Sequence, residues 1–369
     1  MPQWVRKMNT YYPQVAVAVT SFKNSPYLRS SLESLLSLTE YPKFDVYIID
    51  YGTEEISSLV KELQMKYGNH ICLIEMSMDF GITGMRNLAF ETCARTGAKY
   101  FVIMDDDIII TDIDWLNKLV HLMERLPQDV VAATPQAGWL LYPNCTAYGL
   151  KETETPRRTV WPALCTGGQI FIVRESLVRE FYKCGLKPYC DLFFIQSEDI
   201  DFALKIYLRG YKAVCTNVTE VLHARNRNQL PLYRIYHSYK SRVLLLLLNF
   251  SFLHLVRYVP FRLLHDFIHA VVVYPMTARK PAAEAFVLLV KAYVWILRRL
   301  KSIFKFRSRI QICWRRADDS YVKKILLPVQ LPLHLDDRSP GFLSQENKRF
   351  LYTSFQKYQN ERVLRRRFG

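Results

Sequence analysis

Short apolar runs alternate with helical segments along the first 134 residues of the chain. Five runs rich in β-branched and aromatic residues predict strands, and a segment with helical apolar spacing follows each of the first four. The predicted strands are 14–20, 44–50, 71–75, 99–104 and 130–134, and the predicted helices are 27–38, 56–67, 88–96 and 115–125. Strands that alternate with helices at this spacing predict a parallel sheet with helices on both faces.

Three consecutive aspartates, Asp105, Asp106 and Asp107, follow the fourth predicted strand. Open α/β sheets bind ligands at the carboxyl ends of their strands, so the cluster falls where a ligand is expected. Crowded carboxylates repel one another unless a proton or a cation relieves them, and Mg²⁺ or Mn²⁺ would do so while bridging to phosphate oxygens. From these residues alone, an acidic turn that caps the next helix is an equal alternative.

Other polar residues follow the second and third predicted strands. Asp50 ends the second strand, where its carboxylate can accept hydrogen bonds from a base or a ribose. After the third strand, Gly81 and Gly84 allow close approach of the backbone, and Arg86 is expected to open a helix where an anion would bind. These residues therefore predict an anionic ligand at the sheet edge.

A second acidic pair, Glu198 and Asp199, opens a predicted helix that runs to Tyr207. Acidic residues suit a helix N-terminus on dipole grounds alone, so capping is a serious alternative to catalysis for Asp199. His223 closes the last predicted strand, and a single histidine is more often structural than metal-binding.

The charge of the chain is unevenly distributed. Residues 1–240 carry 26 basic and 26 acidic side chains, whereas residues 241–369 carry 24 basic and 8 acidic ones, so the whole net charge of +16 lies in the last third. Such a segment attracts nucleic acid or an anionic membrane surface.

Apolar stretches in the last third are too short or too interrupted to span a bilayer, which takes ~20 residues. They are 244–248, 271–274 and 286–297, and residues 298–316 then hold eight basic side chains and no acidic ones. Interleaved basic and aromatic residues are typical of helices that lie in a membrane interface. The alternative is that these helices pack on the α/β part of the chain that precedes them. The apolar side chains expected in the membrane are Phe286, Leu289, Trp295 and Leu297.

The cysteines and the N-terminus indicate a compartment. Eight cysteines form no Cys-x-x-Cys pair, which favours reduced thiols in the cytosol, and the first 13 residues have no apolar core typical of a signal peptide. We expect a cytoplasmic protein on the inner face of the cell membrane.

The order of these motifs resembles family 2 glycosyltransferases of the GT-A fold, over roughly residues 14–249. The shared features are a strand ending in Thr-Ser-Phe, a strand ending at Asp50, a Gly-x-x-Gly-x-Arg-Asn segment, the aspartate triplet, the Glu-Asp pair and a late histidine. At residues 50–53 the chain has Asp-Tyr-Gly-Thr where the family usually has Asp-Asn-Gly-Ser. Residues 198–202 with Arg-Gly-Tyr at 209–211, and the segment 236–242, look like the rhamnosyl- and galactofuranosyltransferase branch.

The resemblance implies an α/β GT-A domain with a C-terminal helical extension that is basic and amphipathic. The expected divisions are an N-terminal extension at 1–13, a nucleotide-sugar-binding and catalytic domain at 14–249, a membrane-associating helical region at 250–316 and a basic tail at 317–369.

The resemblance also assigns roles to the site residues. The base of a UDP-, dTDP- or GDP-linked sugar would lie near Thr20 and Asp50, Asp105 would contact the ribose, and Asp107 with His223 would hold Mg²⁺ or Mn²⁺. An acceptor hydroxyl would attack with inversion, with Asp199 as general base. Glu198 would bind the acceptor or exchange roles with Asp199. The remaining residues expected to bind the donor are Arg86, Asn87, Asp106 and Gly168, although a structural turn is equally plausible at Gly168.

Partners and competing functions follow from the same pattern. The expected acceptor is a glycan or a polyprenyl-linked saccharide at an anionic membrane surface, and the oligomeric state stays open. A nucleotide-sugar-binding protein without turnover would not need Glu198 and Asp199. A nucleic-acid-binding protein would explain the basic tail, but the acidic strand ends would repel phosphates, so no nucleic acid is expected.

Overall fold

A computed structural model describes residues 12–21, 25–135, 139–141, 143–145, 147–149, 160–162, 169–224, 232–323 and 326. Its strands are β1 Val15–Thr20, β2 Phe44–Asp50, β3 Ile71–Glu75, β4 Tyr100–Asp105, β5 Ile108–Ile110, β6 Val130–Thr134, β7 Trp139–Leu141, β8 Ala147–Gly149, β9 Val160–Pro162, β10 Ile170–Arg174, β11 Lys212–Thr216 and β12 Val221–His223.

A mostly parallel sheet forms the centre of the described structure, in the order β3-β2-β1-β4-β10-β6-β11-β9. The first four strands in this order run parallel, as do β6 and β11, whereas β10 runs antiparallel to both β4 and β6. Every residue of β1 is buried, and its alternate side chains enter two different apolar clusters. The sheet is therefore covered on both faces, and the α/β fold class expected from the sequence is confirmed.

Helices flank this sheet. They are α1 Leu28–Leu38, α2 Glu54–Tyr67, α3 Gly81–Ala94, α4 Trp115–Arg125, α5 Glu175–Lys183 and α6 Glu198–Leu208. The start of α3 is Gly81 rather than Leu88, because two glycines in its first turn hide the helical signal. Asp79 Oδ1 accepts a hydrogen bond of 3.0 Å from the Gly81 amide, which fixes this early start.

A helical extension follows. Helix α7 Leu232–Asn249 precedes it, and its own helices are α8 Phe252–Ile268, α9 Tyr274–Ala278, α10 Ala282–Arg298, α11 Leu300–Ser308 and α12 Asp319–Lys323, with π-helical turns at His269–Val273 and Arg309–Trp314. The extension packs on α5 and α6: Trp314 stacks on Phe181 with ring centres 3.9 Å apart, and Trp314 Nε1 donates to the Lys205 carbonyl oxygen at 2.7 Å. Across the described ranges, none of the helices has the length and apolarity needed to traverse a lipid bilayer.

Candidate functional site at the carboxyl edge of the sheet

The carboxyl ends of β1, β2 and β4 place three polar side chains at one edge of the sheet. The parallel register pairs Thr20 with Asp105, and Thr20 Oγ1 lies 3.4 Å from Asp105 Oδ1. Asp50 is fully buried; its Oδ1 accepts a hydrogen bond from the Gly52 amide at 3.1 Å. Its Oδ2 has no hydrogen-bond partner among the described residues, so this oxygen is available to a ligand donor.

Arg86 connects this edge to the acidic pair of α6. Its buried guanidinium lies 3.0 Å from Asp105 Oδ1 through Nη2 and 3.4 Å from Glu198 Oε1 through Nη1. The same group lies 5.5 Å from the centre of the Tyr189 ring. One cation therefore holds two carboxylates that are far apart in sequence, and it does so in a buried place where charge interactions are strong.

The two acidic residues at the start of α6 have perturbed acidity. Burial and then the charge of Asp199 raise the pKa of Glu198 to about 7, against the opposing charge of Arg86. Burial also raises the pKa of Asp199, again against Arg86. Glu198 Oε2 is buried without a hydrogen-bond partner in the described part of the chain. A carboxylate with a raised pKa is a stronger proton acceptor near neutral pH.

Asp199 makes one hydrogen bond of the kind expected if the acidic pair only caps the N-terminus of α6. Asp199 Oδ1 accepts a 2.8 Å hydrogen bond from the Ile200 amide, as a residue in a first turn can. Ser197, which precedes the helix, makes no side-chain capping hydrogen bond. Glu198 points its carboxylate at Arg86, so capping alone does not account for the pair.

The loop that leads into α6 has an unusual backbone. Phe194, Gln196 and Ser197 have φ angles of 69°, 70° and 62°, which are rare for residues with a side chain. Gly81 approaches this loop so closely that an added Cβ would lie 2.5 Å from the Phe194 carbonyl oxygen. Such conformations cost about 1–3 kcal/mol each and persist where the surroundings enforce them, often at functional sites.

Lys240 of α7 holds the same loop. Its buried Nζ donates to the carbonyl oxygens of Leu192 and Phe193 at 3.0 and 2.8 Å. Burial, with a smaller contribution from Arg299, lowers the pKa of Lys240 to about 7. Helix α7, on which α10 of the extension packs, is thus in direct contact with the segment that positions Glu198.

A second pair of polar side chains lies beside the aspartate triplet. Strands β5 and β12 pair so that His223 lies opposite Ile108, and this brings His223 Nε2 to 3.1 Å from Asp107 Oδ2. Gln169 Nε2 lies 3.1 Å from the other ring nitrogen, Nδ1. A contact at this nitrogen sets which tautomer the imidazole adopts.

Asp107 and His223 are chemically suited to a divalent cation. A carboxylate and an imidazole are both ligands for Mn²⁺, and Mg²⁺ takes few protein ligands while keeping water and phosphate oxygens. In the described ranges, no group of three His, Cys, Asp or Glu side chains converges on one point. Asp107 and His223 therefore suit a cation whose remaining ligands are water or phosphate oxygens.

The other expected ligand-binding residues have different surroundings. Asn87 is engaged with the backbone of Tyr189, donating to its carbonyl at 2.9 Å and accepting from its amide at 3.0 Å. This contact places the Tyr189 ring against Arg86. Asp106 is buried within the triplet. Gly168 lies outside the described residues.

Several residues at the site were not identified from the sequence. Tyr51 donates a 3.0 Å hydrogen bond to Asp79 Oδ1, which ties together the loops after β2 and β3. Tyr189 carries a buried hydroxyl that has no hydrogen-bond partner within the described ranges. The sequence feature that could have drawn attention to Lys240 is its position as a basic residue just before the leucine run of α7.

Comparison with protein families and sequences places the chain among transferases. A family model described as glycosyltransferase-like family 2 matches residues 13–237. The O-antigen biosynthesis protein RfbC of Myxococcus xanthus is 24% identical over 257 residues, which are 62% of this chain and 19% of that protein. The uncharacterized protein y4gI of Sinorhizobium fredii (strain NBRC 101917 / NGR234) is 24% identical over 233 residues, 57% of this chain and 24% of that protein. The chain thus spans a quarter or less of the length of these relatives.

Solved structures share the fold. GalNAc-T7 with UDP, GalNAc and Mn²⁺ superposes with a TM-score of 0.55 at 13% identity, over 85% of this chain and 56% of that one. Residues 1–349 of S. aureus TarS superpose with a TM-score of 0.50 at 13% identity, over 94% of this chain and 91% of that one. At these identities the likeness establishes the architecture, which is that of GT-A glycosyltransferases.

Proposed function

Because the chain belongs to glycosyltransferase-like family 2, we propose that it transfers a sugar from a nucleoside diphosphate sugar to an acceptor hydroxyl with inversion. One observation carries the proposal: Arg86 joins Asp105, at the end of β4, to Glu198, at the start of α6. A donor-binding edge and an acidic pair suited to proton transfer are thus adjacent.

The nucleoside part of the donor occupies the edge formed by Thr20, Asp50 and Asp105. The buried Oδ2 of Asp50 accepts a hydrogen bond from the base or the ribose, since it has no partner in the described structure. The UDP bound to the structurally similar GalNAc-T7 supports a nucleotide donor. UDP-, GDP- and dTDP-linked hexoses and deoxyhexoses are the candidates.

Asp107 and His223 are the residues that would hold Mg²⁺ or Mn²⁺. A bound cation supplies positive charge that stabilises the leaving diphosphate. Arg86 adds a second positive charge within the chain itself, fixed in place by Asp105 before the donor binds. Charge that is already oriented needs no rearrangement as the transition state forms, and this is a main source of catalysis.

Asp199 is the general base of the proposal. It is half-buried and therefore more accessible than Glu198, which is buried against Arg86. The acceptor oxygen forms a bond to the anomeric carbon as the bond to the diphosphate breaks, and the acceptor proton passes to the Asp199 carboxylate. Attack from the face opposite the leaving group inverts the configuration. Glu198 then acts through Arg86, by orienting it.

The acceptor is proposed to be a glycan or a lipid-linked saccharide at a membrane surface. The likeness to a protein named for O-antigen biosynthesis supports a saccharide acceptor. The concentration of positive charge after residue 240 supports an anionic surface. Binding of a nucleotide sugar without turnover is less consistent with the raised pKa values of Glu198 and Asp199.

The proposal is tested with a panel of UDP-, GDP- and dTDP-sugars and Mn²⁺, by measuring release of the nucleoside diphosphate with and without EDTA. Asp199→Asn should bind the selected donor normally and lose about 10²–10⁴-fold in transfer rate, as expected for a missing general base. Asp114→Asn, at the exposed start of α4, is the matched control. Normal turnover by Asp199→Asn, or a product with retained anomeric configuration, would contradict the mechanism.

A further inference from the structure

The outward side of α8 is apolar. Leu253, Val256, Leu264 and Phe267 are exposed, with Leu253 at 79%, and their successive spacings of three, eight and three residues place them along one side of the helix. Water-exposed helix surfaces are usually polar. This stripe therefore needs an explanation beyond folding of the chain.

Helix α10 carries a second stripe of the same kind. Phe286, Val290, Val294 and Leu297 are exposed, with Leu297 at 65%, and their successive spacings of four, four and three residues place them along one side of the helix. The rings of Phe267 and Phe286 meet edge to face with centres 6.3 Å apart, so the two stripes join. We call these two stripes together the apolar face.

The structure corrects the set of side chains expected in a membrane. Phe286 and Leu297 are exposed and lie on the apolar face. Leu289 is only 4% exposed, and the Trp295 ring packs over Lys240 Nζ at 4.6 Å. These two residues point into the protein because α10 has apolar residues on both sides, and the inner side packs on α7.

Charge in the segment that carries the apolar face is mostly positive. Residues 250–316 contain 13 basic and two acidic side chains. Both acidic ones are engaged within the protein: Asp266 is fully buried and paired with Arg262, and Glu284 accepts a 3.2 Å hydrogen bond from the Tyr274 hydroxyl. The exposed basic residues nearest in sequence to the two stripes are Arg257, Arg279, Lys280, Lys291, Arg298, Arg299 and Lys301.

We propose that the apolar face docks on an anionic lipid bilayer, with α8 and α10 lying in the interface. Apolar side chains that enter the acyl boundary and basic side chains that meet anionic headgroups are the two requirements of interfacial helices. An acidic protein partner would satisfy the charge but not so continuous an apolar surface. A second copy of the chain would bring like charges together.

The docked face would be close to the loop that leads into α6. Trp295 lies on the inner side of α10 and contacts Lys240 of α7, whose ammonium holds the carbonyls of Leu192 and Phe193. Two helices, each about 10 Å across, therefore separate the face from the loop that leads to Glu198. A saccharide carried on a lipid would be within reach of the site. This last step rests on the proposed transferase, whereas the docking does not.

The test is cosedimentation of the full chain with vesicles of pure phosphatidylcholine or of phosphatidylcholine mixed with phosphatidylglycerol, at low and high salt. Wild type should sediment with the mixed vesicles, less so at high salt. Leu264→Gln combined with Leu297→Gln should reduce the binding constant by about ten-fold or more, since two exposed leucines would no longer enter the bilayer. Met65→Gln, at an 84% exposed position on α2, is the control and should bind like wild type.

The charge contribution is tested separately. Arg298→Gln and Lys301→Gln should each weaken binding to mixed vesicles by roughly five-fold and leave binding to neutral vesicles unchanged. Lys66→Gln on α2 is the matched control.

Three results would overturn the proposal. Wild type could remain in the supernatant with mixed vesicles, or the double variant could bind them as tightly as wild type. Wild type could also form a dimer in sedimentation velocity while the double variant is a monomer. Donor hydrolysis in solution separates this proposal from the transferase. The rate of donor hydrolysis without vesicles should be the same in wild type and variants. If wild type binds vesicles but hydrolyses no donor, the proposed transferase function is wrong and the proposed membrane docking stands.

Discussion

Replacing Glu198 by Gln should make the protein more stable at pH 8 and less active. Burial and the charge of Asp199 raise the pKa of Glu198 from 4.5 to about 7. At about 1.4 kcal/mol per pKa unit, ionisation of this carboxyl in the folded protein costs about 3 kcal/mol more than in the unfolded chain. Gln has the same shape and no charge to desolvate.

The pH dependence follows from the direction of this change. Between pH 4.5 and about 7, Glu198 keeps its proton in the folded protein and loses it in the unfolded chain. The stability that the group contributes is therefore fully present below pH 4.5 and is lost as the pH rises through about 7. Arg86 loses a charged partner in Glu198→Gln but keeps Asp105. The net gain should be about 1–3 kcal/mol at pH 8 and small at pH 5.

The assay is urea unfolding of wild type and Glu198→Gln at pH 5 and pH 8, with the free energies of unfolding compared at each pH. Glu54→Gln is the matched control, because Glu54 also begins a helix, α2, and is exposed. It should lose about 0.5 kcal/mol of helix-dipole interaction at both pH values. If the difference between Glu198→Gln and wild type is the same at both pH values, or if the variant is less stable at pH 8, the buried-charge argument is wrong. Donor turnover by the variant should fall, because Arg86 is oriented by one carboxylate fewer.

Three further substitutions test the rest of the site. Asp107→Asn should abolish transfer, at a cost of several kcal/mol in the transition state; near wild-type rates, or full wild-type activity in EDTA, would contradict the assignment of a cation to Asp107. Gln169→Leu should weaken Mn²⁺ binding by about 10–100-fold, because the contact at Nδ1 orients His223; an unchanged Mn²⁺ titration would remove that role. Lys240→Met should lower kcat at least about ten-fold with donor affinity unchanged, since the loop before Glu198 loses its anchor; unchanged kcat would show that the loop holds itself.

The first domain was largely predictable because its signals are local. Strand β2 was predicted at 44–50 and α4 at 115–125, and both have these bounds in the structure. Each short apolar run buries both faces of a strand, and such runs are visible in the chain without knowledge of what packs on them. The rule that ligands bind at the carboxyl ends of parallel strands then placed Asp50 and Asp105 at one edge. The role of each site residue stays a prediction.

Contacts between distant residues were decided only by the tertiary structure. Arg86 and Glu198 are 112 positions apart, and nothing in either local pattern predicts that they pair. The pair forms because α3 and α6 approach the same strand end, and the buried charge of Arg86 must then be compensated there. The contact of Tyr51 with Asp79 has the same origin, since two loops meet.

The helical extension shows most clearly what the sequence alone could not predict. Its composition alone predicted helices that are apolar and basic. Helix α10 is apolar on both sides, so its sequence could not indicate which side faces water. Packing on α7 buries Leu289 and leaves Leu297 exposed, and that choice determines which surface is available to a membrane.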